Sequence, residues 1–383
     1  MSTLKVGALQ GISASSDAIT LANDGTCTAN LTNKPNRNLI INGAMQVAQR
    51  GTSSTADTYG SVDRFYAFHS GVDEAPTQAQ VAVASGTTPY TLGFRKAFKV
   101  TNGNQTSGAG AADAIEIITK LESQDIANSG WNYLSSSSFI TLSFYVKSSV
   151  AQNFYVQLLT KDGTQYNYSF ETGSLTADTW TKITKTISGN SNLQFDDDAN
   201  LGLVIKFLLF RGTDFTDNSV SNDAWAAYAS STRSKDNTST WYTTNDATFE
   251  ITGVQLEVGS VATDFEHRSF GQELDLCKRY FQVHNENGRF TGNTTYYRSS
   301  SIETQIKFEP EMRATPTFSA ASGTNYYYFY RSNSFDNFNS WGSTNSMGRK
   351  GGAINASTSS AENGIAGGLW VNTGGTLHFS AEL

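Results

Sequence analysis

The chain has 383 residues, of which 38% are hydrophobic, 12% aromatic and only 16% charged, with a net charge of −7 and an isoelectric point near 5.2. A length beyond the roughly 250 to 300 residues at which one core stops growing implies two or more domains. The acidic balance, with no stretch that gathers Lys and Arg, removes the field that attracts phosphate backbones and argues against a nucleic-acid partner.

Ser, Thr, Asn and Gly are abundant and prolines number five, a mixture that favours strands joined by polar turns over helices. The N-terminus MSTLKVGALQGISASSDAITLAND has no apolar run of signal-peptide length, and LGLVIKFLLF, broken by Lys206, is half a membrane span at most. A soluble protein made in a cytoplasm, with no membrane insertion, is expected. Cys27 and Cys277 lack Cys or His neighbours at metal-ligand spacing and read as ordinary thiols, a long-range disulfide being possible but unsupported.

Residues 1–37 read as a small separate unit in which AITLANDGTCTANLT forms two extended segments around an Asn-Asp-Gly turn. Such a unit cannot bury a core alone and must dock on a sister copy or a larger assembly. Residues 38–268 carry strand signals throughout. SFITLSFYVKSS and NFYVQLLT are rich in strand formers, and Lys161-Asp162-Gly163 turns into TQYNYSFET, where Tyr166, Tyr168 and Phe170 give a hairpin one aromatic face. WTKITKTIS, LGLVIKFLLF and ATFEITGVQLEV supply more strands, and the shift of alternation from Phe249/Ile251 to Val254/Leu256/Val258 places a β-bulge at Gly253. Many short strands with long polar insertions predict a two-sheet jelly-roll sandwich.

Residues 269–383 open on a short helix, since Ser269 and Gln272 fit a capping box and Leu274, Cys277 and Phe281 fall on one face. Strands come next: Ile302, Thr304, Ile306 and Phe308 alternate with polar residues, and LWVNT-GG-TLHFSAEL reads as a two-residue Gly-Gly hairpin. The predicted fold class is all-β, a jelly-roll β-sandwich followed by a smaller β-domain, with a short N-terminal attachment segment.

Five blocks carry a family likeness: NLIINGAMQVAQRGTS, DRFYAF, ITGVQLEVGSVATDFEHRSFGQELDLCKRYFQ, MRATPTF and LHFSAEL. In their order and spacing over residues 38–383 they resemble tail-fibre and other fibre-like structural proteins of tailed bacteriophages, marine phages especially. The resemblance implies a middle domain similar to carbohydrate-binding jelly rolls, assembly as a homotrimer, and a place on the tail or capsid exterior of the virion with distal domains facing the host. MSTLKV resembles the start of many such proteins, which implies that residues 1–37 attach to other virion proteins.

The pair Glu266-His267, near Asp264, invites a catalytic reading, but neighbours in an extended segment point apart and cannot converge on one substrate. The segment is expected to join two domains. Asp196-Asp197-Asp198 lacks the spacing of a calcium loop and reads as a solvated acidic turn. Asp63 is expected to hold Arg64 in a structural pair, with metal binding as the alternative. No catalytic motif is apparent, and neither a cofactor nor a metal is expected. Aromatic groups are the candidate glycan-binding residues, because a flat apolar ring with a polar tip suits a sugar face. Tyr326, Tyr328 and Tyr330 share one side of an extended segment, and Trp225, Tyr228, Trp241 and Tyr242 lie in a long polar insertion. The alternative for these rings is packing at subunit interfaces or loop bases. The expected function is a non-enzymatic trimeric fibre that binds host cell-surface polysaccharide. The alternatives are a depolymerase tailspike and an architectural decoration without ligand.

Overall fold

The structure, a computed structural model, describes residues 6–10, 12, 19–21, 27–29, 35–285, 289–298, 300–331, 334–358 and 364–383. The chain is an all-β protein built on a jelly-roll β-sandwich. One six-stranded antiparallel sheet runs in the order Trp225–Ala227, Tyr166–Ser174, Asn153–Thr160, Leu201–Arg211, Ala114–Glu122, Phe65–Ser70. The other runs Thr181–Ser188, Phe139–Ser148, Thr248–Val258, Lys96–Thr101, Thr77–Ala82, Ser53–Ser54. Period-two alternation explains why both strands and core form: Leu142, Phe144 and Val146 from one sheet meet Ile117, Val156 and Phe207 from the other. The Phe144 and Phe207 rings meet edge to face at 5.0 Å, and each buried side chain of this size contributes about 1.5–3 kcal/mol.

Three local expectations from the sequence hold. Asn153–Thr160 and Tyr166–Ser174 pair as a hairpin, with Tyr168 and Phe170 in the core. The bulge sits at Gly253, where the register slips between Thr252 and Gln255 and φ is +63°. The Ser269/Gln272 capping box forms, with the Gln272 amide donating to Ser269 Oγ at 3.3 Å and the Ser269 amide donating to Gln272 Oε1 at 3.1 Å.

Other expectations are corrected. The helix Phe270–Lys278 buries Glu273 and Cys277, whereas Phe281 opens the strand Phe281–Val283. Leu274 is only half-buried. A buried acid replaces the expected apolar contact because the Glu273 carboxylate accepts from the Asn42 amide at 2.5 Å and faces Arg268 at 3.5 Å. Gly374-Gly375 does not close a hairpin. Ala366–Val371 belongs to a seven-stranded sheet and His378–Ser380 to a three-stranded one, so the glycines carry the chain between sheets. Asp63 and Arg64 do not pair with each other, because the chain turns at Arg64, with φ +69°, and parts their side chains. Asp63 takes Gln49 and Arg50 as partners. Arg64 lies 3.5 Å from the centre of the Tyr280 ring and pairs with Glu382.

A second apolar cluster, drawn from residues between Tyr296 and Ala381, lies under the seven-stranded sheet. That sheet runs Ser334–Phe338, Tyr327–Arg331, Ala366–Val371, Arg289–Arg298, Ser301–Lys307, Gly351–Ser357, Thr344–Gly348. In the N-terminal unit Ile19–Leu21 pairs with Cys27–Ala29; the Asn-Asp-Gly turn between them, and the side chain of Cys27, lie outside the described residues. Cys277 is a free, buried thiol whose pKa burial pushes up. Among the described residues no helix is long and apolar enough to cross a membrane.

Candidate functional site

Alternation decides what the seven-stranded sheet offers to solvent. Tyr327, Phe329, Leu369, Val371, Tyr296, Ile302 and Ile306 point into the second core, which leaves the residues between them on the outer face. There the sheet register sets Tyr328 opposite Trp370 and Trp370 opposite Phe290. One rung along, Phe335 stands opposite Tyr330, Tyr330 opposite Gly368, and Gly368 opposite Asn293.

The five rings form one connected surface. Tyr330 lies 5.6 Å from Phe335, 5.7 Å from Trp370 and 5.4 Å from Phe290, and Tyr328 lies 5.3 Å from Phe335. Phe290 and Phe335 are 62% and 53% exposed and Tyr330 36%, so the platform is open although its rings support one another. Gly368 shapes it: a Cβ there would stand 2.7 Å from the Phe290 ring, so the missing side chain lets that ring sit over the strand, edge to face with Tyr330 and Trp370. Beneath the platform the Asp336 carboxylate accepts from Tyr296 Oη at 2.6 Å and Arg331 Nε at 2.7 Å, which fixes the strand that carries Phe335. Burial, reinforced by that bond to Asp336, pushes the Tyr296 phenol up.

Beyond Asn293 the same face becomes polar. Glu303, Gln305 and Lys307 alternate outward on Ser301–Lys307, and the Glu303 carboxylate accepts from Asn345 Nδ2 at 3.2 Å. These side chains, with Asn293 and His284, line a cavity of about 570 Å³.

The residues singled out from sequence separate into groups. Tyr328 and Tyr330 belong to the platform. Tyr326 does not join them, because Asn325 at φ +56° turns the chain and alternation begins only at Tyr327. The Tyr326 ring instead packs against the core beside Gly374. Trp241 and Tyr242 are 0% and 1% exposed and cannot stack on a ligand. The polar insertion folds them inward, with Trp241 Nε1 donating to the Thr248 carbonyl at 3.0 Å and Tyr242 Oη donating to Asp113 at 2.9 Å. Trp225 is a half-buried sandwich-edge residue whose Nε1 donates to the Ser188 carbonyl at 2.8 Å. Tyr228 is partly buried against Ile118, Leu159 and Val204 on the other face of the first sheet. Phe290, Phe335 and Trp370 were not among the sequence candidates. The one local signal was Trp370 between Leu369 and Val371, two apolar residues that claim the inner face.

A larger cavity, about 890 Å³, lies where Pro35, Phe265, Arg268 and Arg279 meet. Its charged groups are engaged in joining segments. The Glu266 carboxylate accepts from the Asn38 amide at 2.8 Å, Arg268 donates to the Ile40 carbonyl at 3.2 Å, and His267 Nε2 lies 2.9 Å from the Leu92 carbonyl, its ring packed between Phe94 and Phe265. Asp196, Asp197 and Asp198 accept from Gln194, Asn128 and Asn200 respectively, three separate turn contacts. Among the described residues no group of three or more His, Cys, Asp and Glu side chains could hold a metal.

No family model and no curated protein matches the chain. Solved structures similar to it include the enzymatically active domain of bacteriophage CBA120 tailspike protein 4, at 10% identity and TM-score 0.32, with 59% of this chain and 22% of that chain covered. A putative sugar binding protein from Bacteroides thetaiotaomicron is similar at 14% identity and TM-score 0.30, covering 58% of this chain and 100% of that one. The CBM22-1-CBM22-2 tandem domain of Paenibacillus barcinonensis Xyn10C is similar at 10% identity and TM-score 0.27, covering 90% of each chain.

Proposed function

We propose that this chain is a non-enzymatic structural fibre protein on the exterior of a tailed phage virion, a homotrimer that binds a host surface glycan. The observation that carries the glycan-binding part is the platform of exposed Phe290, Tyr330 and Phe335 with half-buried Tyr328 and Trp370, continuous with the amides and carboxylate of Asn293, Gln305 and Glu303. Aromatic faces take up the apolar C–H faces of pyranose rings, and neighbouring amides and carboxylates meet their hydroxyls. Three copies per fibre multiply a weak single-site affinity without any new contact. The fibre and trimer parts of the reading rest on the family resemblance of residues 38–383, and attachment to tail or capsid proteins on residues 1–37.

A depolymerase reading has one observation in its favour: burial, then Glu122, pushes the Asp125 carboxyl up to about 6, and acids whose pKa values are driven apart serve hydrolysis elsewhere. Against it, Glu122 is enclosed and both its oxygens are occupied, by Arg279 at 2.8 Å and Tyr280 at 2.6 Å. The test is binding of the purified protein to host envelope polysaccharide, with viscosity followed in parallel. Retention that disappears in Tyr330→Ala and Trp370→Ala, with viscosity constant, is expected. Falling viscosity, or binding indifferent to both substitutions, would overturn the proposal.

A further inference from the structure

The platform occupies only half of its face, and the other half is built differently. From the sheet edge inward, one rung of the register reads Phe335, Tyr330, Gly368, Asn293. The rung beside it, on the far side of Arg289–Arg298, reads Gln305, Ala353, Asn345. Rings give way to a glycine floor and then to amides, with Glu303 on the adjacent rung held by Asn345. The strand bearing Tyr330 and the strand bearing Gln305 are three places apart in the sheet, a span of about 14 Å at the usual inter-strand spacing. That span is longer than one sugar ring.

Resting on the glycan-binding reading above, we propose that the ligand is a linear, uncharged oligosaccharide laid across the strands, its leading rings stacked on Tyr330, Trp370 and Phe290 and its far end held in the cavity by Glu303, Gln305 and Asn345. Three features support the path and the chemistry. Gly368 has no side chain of its own and the Phe290 ring fills the space above it, so a chain crossing that strand runs over the Phe290 ring before it reaches the amides. Asn293, Gln305 and Asn345 each offer an amide that donates and accepts, which suits vicinal hydroxyls. Among the described residues lining the cavity, Lys307 Nζ pairs with Glu309 at the surface, and burial depresses His284 to about 4 so that it is neutral at pH 7. Glu303 adds a carboxylate that repels uronic or sialic acids.

The experiment is calorimetric titration of the full chain with neutral gluco-, galacto- and manno-oligosaccharides graded from monosaccharide to hexasaccharide, and with oligogalacturonates as the anionic arm. Affinity is expected to rise with length until the cavity is reached. Gln305→Ala and Glu303→Gln should each remove about tenfold of that length increment while short ligands bind as before. Tyr330→Ala should weaken short and long ligands alike. Binding that needs Tyr330 but is independent of length, or is unchanged in Gln305→Ala and Glu303→Gln, overturns this inference and leaves the parent reading standing. Preference for oligogalacturonates overturns the uncharged class. If no sugar binds and Tyr330→Ala instead abolishes self-association, the face is a contact between copies and both readings fail.

Discussion

Arg279 grips Glu122 with both arms of its guanidinium, Nε and an Nη each 2.8 Å from one carboxylate oxygen. Glu122 closes the sandwich strand Ala114–Glu122 and Arg279 caps the helix Phe270–Lys278, so this fork ties the jelly roll to the C-terminal region. Burial alone would raise the Glu122 carboxyl, but hydrogen bonds from Arg279 and Tyr280 outweigh it and hold the pKa below its ordinary value. A depressed carboxylate contributes stability that is complete above its unfolded value and is lost as pH falls through the folded one. Arg279→Ala is expected to cost about 3 kcal/mol in urea unfolding at neutral pH. Arg279→Lys should recover only part, since an ammonium cannot make the fork. An unchanged midpoint in Arg279→Ala would show that the fork does not stabilise the fold.

His284 also loses stability in acid, over a higher pH window. Burial, then Lys278, lowers its imidazole from 6.5 to about 4, so between those values the unfolded chain binds a proton that the folded chain refuses. Stability is complete above pH 6.5 and falls as pH drops toward 4, by up to about 3 kcal/mol. Asp63 and Asp125, raised to about 6, act in the other direction over the same range. The measurement is therefore a difference: wild type should lose stability relative to His284→Leu between pH 6.5 and 4. Parallel curves would count against a buried neutral His284.

Two aromatic substitutions should behave as opposites. Trp241→Ala empties a fully enclosed site in the main core and is expected to cost about 3–5 kcal/mol. Tyr330→Ala removes an open ring and should cost about 1 kcal/mol or less, while abolishing glycan retention. Thermal unfolding of both variants distinguishes a core residue from a surface one.

Gly368→Ala probes the floor of the platform. The added methyl would meet the Phe290 ring at 2.7 Å, and Phe290 lies 5.4 Å from Trp370. The ring should tip outward, shifting Trp370 emission and weakening glycan binding, at a stability cost of about 1 kcal/mol or less. Unaltered emission together with full binding would show that Phe290 is not held by the glycine.

Where residues contact their own neighbours in sequence, the chain could be read directly. The bulge at Gly253, the Ser269 cap and the Tyr166–Ser174 hairpin result from turn chemistry and alternation within a few positions. The candidate site was legible only in part, at Tyr328 and Tyr330. Trp241 and Tyr242 look like loop aromatics until the insertion is seen to fold them under the strand that begins at Thr248, and Phe290, Phe335 and Trp370 lie too far apart in sequence for any local pattern to join them.

By itself the sequence determined an all-β chain, the positions of most sandwich strands and the cap that opens the helix, because backbone sterics and side-chain period act over one or two turns of chain. Tertiary structure decided which strand lies beside which. That choice brings Phe290, Tyr330 and Trp370 to one face, parts Asp63 from Arg64, and carries Gly374-Gly375 between two sheets rather than around a hairpin. The physical reason is that strand neighbours are selected by burial of a shared core and by ladder hydrogen bonds between distant segments, neither of which is written in the spacing of adjacent residues.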